Sequence, residues 1–134
     1  MDHTSVLVVD RSQDPGIVTN AAFVLGLTAG ARLPQATFGP EVVDGDGMVH
    51  AALTRIPHFV RKAGQAKLRR LRKAFSDMGG VQLVDYTEDA APSDYAVYAR
   101  GLAGRCGDDI HYRAIHVFGP SELIDPLTRN LSRL

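Results

Sequence analysis

Four short apolar runs alternate with stretches of helical periodicity along the chain. Ser5-Val6-Leu7-Val8-Val9 is rich in β-branched residues and lacks a polar face, which predicts a central strand covered on both sides. A polar loop, residues 10–14, follows it. Asp14 suits an N-cap and Pro15 the first position of a helix that runs to about Leu27. That helix is apolar almost all round, with Thr19 and Asn20 as its polar exceptions, so heavy burial is expected. Gly30 is its expected stop.

The region from Ala31 to Gly64 has the weakest pattern. Within it, Glu41-Val42-Val43 and Met48-Val49-His50 flank Asp44-Gly45-Asp46-Gly47 as a β-hairpin would. Ile56 to Arg61 reads as a strand, and Pro57 favours a place at an edge or at a strand's start. Gln65 to Met78 is amphipathic, with Leu68, Leu71, Phe75 and Met78 three and four residues apart, and Gly79-Gly80 ends it. Val81 to Asp85 predicts a strand. Pro92-Ser93-Asp94 opens a third helix whose inner stripe is Tyr95, Tyr98, Leu102 and Cys106. Ile110 to Phe118 alternates as a strand, and Gly119-Pro120-Ser121 caps a last helix that Pro126 should kink or split. The expected plan is a single α/β domain over residues 1–134, with a roughly four-stranded mixed sheet and helices on both faces.

Composition narrows this only a little. A 134-residue chain that is 45% hydrophobic and 22% charged is one domain with its own core. Fifteen cations balance fifteen anions, which argues against strong electrostatic steering onto nucleic acid. No apolar run is long enough to span a bilayer, and the first residues lack a signal-peptide pattern, so a cytoplasmic protein with no membrane role is expected. The single cysteine, Cys106, excludes an internal disulfide, and its stripe position predicts a buried, inert thiol.

Candidate chemistry is sparse. Seven of the fifteen cations fall between Arg61 and Lys73, a stretch without an acid. The plain reading of Arg69, Arg70, Arg72 and Lys73 is a solvated helix face, and the less favoured one is a phosphate-contacting surface for RNA. The histidines share no metal-ligand spacing, and His116 on its strand reads as a packed core residue. Asp44 and Asp46 start like a calcium loop, but Met48 takes the next ligand position, so a turn is preferred. No metal and no cofactor is expected. No Gly-x-Ser-x-Gly or Walker pattern occurs. What remains are polar exits from strands, where α/β sheets gather ligands: Asp10-Arg11-Ser12, then Asp85-Tyr86-Thr87-Glu88, then Gly119-Pro120-Ser121. Thr19 and Asn20 could face the same region, and helix N-termini there would favour a small anionic ligand.

Two stretches carry a family resemblance. Val8-Val9, followed after ten residues by Asn20-Ala21-Ala22, resembles the opening of type II peptidyl-tRNA hydrolases. Gly119-Pro120-Ser121-Glu122-Leu123-Ile124-Asp125 with Leu127-Thr128 resembles their closing segment. The extra helix from Ser93 to Cys106, the Asp-Gly-Asp-Gly hairpin and Asp85-Tyr86-Thr87-Glu88 are similar to an uncharacterised bacterial family, domain of unknown function 2000, thought to share that fold. The resemblance implies the hydrolase fold and a homodimer. It also implies where a site would lie. The hydrolase lysine aligns with Thr19, its loop arginine with Asp10 and its loop aspartate with Ser12. Its loop after the third strand is matched by Asp85, with Thr87 two residues on, and its closing segment by Asp125 and Thr128. Asp85, Thr87 and Thr19 are therefore the candidate catalytic residues; Asp10, Arg11, Ser12, Asn20, Asp125 and Thr128 are the candidate ligand-binding ones. With the lysine and arginine gone, a binding protein without hydrolase activity is the favoured reading. An esterase acting on peptidyl-tRNA or a related ester or amide is the alternative. A small-residue face on the first helix, Thr19, Gly26 and Gly30, is a further candidate for dimer contact.

Overall fold

A computed structural model describes residues 2–90 and 94–134. Its strands are β1 (His3–Asp10), β2 (Val42–Val43), β3 (Val49–His50), β4 (His58–Ala63), β5 (Gln82–Thr87), β6 (Tyr112–Pro120) and β7 (Ser132–Arg133). Its α-helices are α1 (Pro15–Gly30), α2 (Gln65–Ser76), α3 (Tyr95–Ala103) and α4 (Ser121–Thr128).

The main sheet is mixed, α/β in class, and has five strands, not four, in the order β5-β6-β1-β4-β7. β1 and β4 are parallel; β6 runs antiparallel to both β1 and β5, and β7 antiparallel to β4. The fifth strand, Ser132–Arg133, is two polar residues with no strand-like pattern of its own. The strand expected at Ile56–Arg61 begins two residues later. It lies between β1 and β7, not at the edge, although β7 reaches only Arg61 and Lys62, and Pro57 stands just before its first residue, the other place expected for it.

Alternation sorts β1 into two cores. Val6 and Val8 pack with Ile115 and Val117 of β6 under Leu68, Leu71 and Phe75 of α2 and Ile124 of α4. Val9 packs with Ala114 and with Val18, Ala21, Leu25 and Ala29 of α1. Helices thus cover both faces, as expected. α1 is not buried all round, however: Phe23 and Leu27 are 65% and 63% exposed, because only one side of the helix meets the sheet.

Three local expectations are corrected. Cys106 lies beyond the end of α3 and is exposed, and no described residue of α3 is buried, because that helix sits outside the sheet's edge. Pro126 does not split α4, which runs through it to Thr128. Ser121 is the first residue of α4, not its cap; its N–H donates to Asp2 O and its hydroxyl meets that of Thr4. The expected start of the third helix at Pro92-Ser93 lies outside the described residues, and Asp94 caps α3 by accepting from Ala96 and Val97 N–H. Among the described residues no helix is long and apolar enough to cross a membrane.

Candidate functional site

β1, β4 and β5 run in the same direction, so Asp10, Ala63 and Thr87 end at one rim of the sheet. Asp10 is buried there and is consumed by its neighbours. Its carboxylate accepts from Ser12 N at 3.0 Å, Ser12 Oγ at 2.8 Å, Gln13 Nε2 at 3.1 Å and Gln65 Nε2 at 2.8 Å. Burial opposes its ionisation, yet these hydrogen bonds outweigh it and hold the carboxyl below its ordinary value. Gln65 also clips β6, accepting from Tyr112 N at 2.9 Å and donating to Tyr112 O at 2.6 Å. Arg11 lies across Gly64, with its guanidinium 3.4 Å from where a Cβ would stand. Asp10, Arg11 and Ser12 thus form one cluster, tied to the start of α2.

The other candidates are scattered. Thr19 is exposed, and its hydroxyl donates back to Pro15 O. Thr87 is buried, and its hydroxyl has no partner among the described residues. Asp125 and Thr128 line a smaller cleft, about 160 Å³, with Phe59, Arg61 and Arg129, and Thr128 donates to Ile124 O. β6 and β1 separate them from β5, so they do not meet Asp85. Two members of the basic helix are engaged internally: Arg72 Nε donates to Asp85 Oδ2 at 3.1 Å, and Arg69 Nη2 to the carbonyls of Asp108 and Ile110.

Asp85 is the candidate with a cavity beside it. Val24, Leu25 and Thr28 of α1, Asp85 and Tyr86 of β5, Ala90, and Tyr95 and Tyr98 of α3 line a half-open cavity of about 380 Å³. Tyr95 and Tyr98 pack edge-to-face, centroids 5.2 Å apart at 72°. The Tyr86 hydroxyl lies 3.3 Å from Asn20 Oδ1 and 3.4 Å from Ala90 O. Burial, then the nearby Asp85, pushes the Tyr98 phenol above its ordinary value. Three of the chain's four tyrosines meet here. The sequence placed Tyr86 at a strand exit and Tyr95 and Tyr98 on a helix stripe, but not beside one another; their crowding between positions 86 and 98 is the signal for it.

A second pair was also missed. On the floor of a groove between α1 and β4, His116 Nε2 lies 2.6 Å from Ser5 Oγ. His116 Nδ1 has no partner among the described residues, and burial, with His58 adding to it, lowers the imidazole to about 4. The Asp44 loop is a turn: its carboxylate accepts from Asp46 and Met48 N–H and lies 2.7 Å from His50 Nε2. Among the described residues no group of three or more His, Cys, Asp or Glu could hold a metal.

The sequence profile of a family described as protein of unknown function DUF2000 matches residues 3–134. The chain belongs to that family. This DUF2000 chain is also similar in fold to a solved structure, the protein of unknown function Atu0240 from Agrobacterium tumefaciens. The TM-score is 0.87 at 16% identity, over 100% of this chain and 98% of that one. No curated protein matches this DUF2000 chain.

Proposed function

We propose that this chain is a small-molecule-binding domain with the type II peptidyl-tRNA hydrolase fold but without that reaction, and that it works as a homodimer. The observation that carries it is the cavity beside Asp85: concave, partly apolar, about 380 Å³, with a few convergent polar groups. The residues that line it include Asp85, three tyrosines and Thr28, and among the described residues no Lys or Arg lines it, although Arg72 pairs with Asp85. Asp85 Oδ2 is held by Arg72, which leaves Oδ1 as an acceptor. That chemistry suits a small aromatic or aliphatic ligand bearing a hydrogen-bond donor or an ammonium group, with the tyrosine rings beside it. It does not suit the anion that the strand-end helix termini suggested.

Nothing in the arrangement favours hydrolysis of an RNA ester. The lysine position holds Thr19, committed to its own helix, and the arginine position holds Asp10, committed to Ser12, Gln13 and Gln65.

Calorimetric titration with tyramine, and with its carboxylate counterpart 4-hydroxyphenylacetate, tests the reading. The amine is expected to bind and the acid not. Asp85→Asn should weaken the amine about tenfold or more, ~1.4 kcal/mol, by removing a charged acceptor. Equal binding of both compounds, or of neither, rejects the assignment.

A further inference from the structure

Residues 39–53 form an arm that stands off the body. Its root is pinned: Gly39 N–H donates to Leu53 O at 2.8 Å, Arg55 N–H to Thr37 O at 2.9 Å, and a bridge joins Phe38 to Thr54. Beyond the root β2 pairs only with β3, and every residue from Pro40 to Ala51 is exposed. Val42, Val43, Met48, Val49 and Leu53 are each at least 60% exposed. A lone two-stranded hairpin is marginally stable in water, and one that presents large apolar side chains needs a cover.

The root stands on the rim of the groove between α1 and β4, where Phe38 and Thr54 form part of the lining. This groove holds about 320 Å³. Its α1 wall includes Ala22, Gly26 and Gly30, and both glycines have open space where a Cβ would project. Its other wall is the half of β4 that β7 leaves without a strand partner, His58 to Val60. Phe23 and Leu27, next round the helix from Ala22 and Gly26, add exposed apolar surface, as does Phe59.

We propose that the arm of one copy lies in this groove of a second copy, and reciprocally, which gives an isologous dimer; this rests on the homodimer reading above. Three observations select a second copy as the occupant. First, charge is complementary. From Leu33 to Thr54 the chain carries Glu41, Asp44 and Asp46 and no Lys or Arg. Arg32 and Arg55 adjoin residues of the groove in sequence, and neither is in an ion pair among the described residues. Second, the exposed apolar side chains of arm and groove amount to about 500 Å² if each offers roughly 100 Å² when free. With the polar residues between them this approaches the ~800 Å² per partner of a stable interface. Third, seven residues per strand reach about 20 Å from the root, enough to cross a groove one helix wide. Because root and groove adjoin, one two-fold axis beside them brings both arms onto both grooves.

Sedimentation equilibrium of the full chain across the micromolar range tests the proposal. Val43 and Val49 are directly opposed, so V43K with V49E leaves the hairpin a cross-strand ion pair while removing its apolar face. Gly26→Trp fills the groove from an exposed helix position. Circular dichroism like that of the wild type shows that each variant folds. The expected result is a wild-type dimer that weakens as salt rises, and dimerisation weakened about a hundredfold or more in each variant. Mixing the two variants should recover a heterodimer, since one intact arm then meets one intact groove. A dimer indifferent to both variants, or a mixture that stays monomeric, overturns the reciprocal seating while the homodimer reading stands. A monomeric wild type overturns both and leaves the groove to a small apolar ligand or a different protein.

Discussion

Gln65 ties two strands together from the first position of a helix. Its amide reaches Asp10 at the end of β1 and both backbone groups of Tyr112 in β6. Asp10 therefore serves the sheet's rim, and its charge is already answered. Single residues of this kind fix local geometry elsewhere. Gly119 in β6 faces Gly80 O and Val81, which a Cβ would approach to 3.0 and 3.2 Å. The backbone there cannot move aside cheaply, since Gly80 sits in the turn at φ +83° that starts β5. Gly119→Ala should cost about 1–3 kcal/mol in urea denaturation, and an unchanged midpoint would contradict the close approach. His116 sets an acid limit. Its pKa is lowered in the fold to about 4 from an ordinary 6.5, so the unfolded chain takes up the proton first. Its contribution is complete above pH ~6.5 and is lost as pH falls towards ~4. Urea midpoints measured between neutral pH and mild acid should fall over this window for the wild type. His116→Gln, which keeps a hydrogen-bonding partner for Ser5, should flatten the decline.

At the scale of elements, legibility followed the number of faces an element shows to different surroundings. α2 has one apolar stripe and one charged face, and Leu68, Leu71 and Phe75 are buried as its spacing says. α1 carries apolar residues on every side, so periodicity could not say which side meets the sheet. The answer depends on β5, β6 and β1 lying under one side, with Phe23 and Leu27 left in solvent. The same ambiguity hid the groove: Gly26 and Gly30 were legible as a small-residue face, but what faces them was not. β7 was illegible because two polar residues paired to Arg61 and Lys62 have no pattern of their own. The basic run was legible as charge but not as contacts; Arg72 and Arg69 are spent on Asp85 and on backbone carbonyls far along the chain.

At the scale of the molecule, the question is whether a chain that resembles a hydrolase can run its reaction. Losing one preorganised stabilising group costs about 100- to 1000-fold in rate, and under the proposed hydrolase fold both cationic positions would be gone. Purified protein should release no tRNA from an N-blocked aminoacyl-tRNA at micromolar enzyme, in an assay that follows the freed 3′ end. Turnover at an ordinary enzymic rate would restore the hydrolase reading. The scattering of Thr19, Thr87, Asp125 and Thr128 points the same way, because a shared sheet does not bring them to one reacting centre.

By itself the sequence determined the class of the fold, the β1, α2 and β6 segments and the Asp44 hairpin turn. Each of these is written in local spacing or in residue chemistry, which act over a few positions. Only the tertiary structure decided that Asp85 meets three tyrosines, that Ser5 meets His116, and that one apolar arm is left without a cover. Those outcomes depend on the order in which strands lie side by side and on which half of a sheet a helix covers. Contacts between residues far apart in the chain set both.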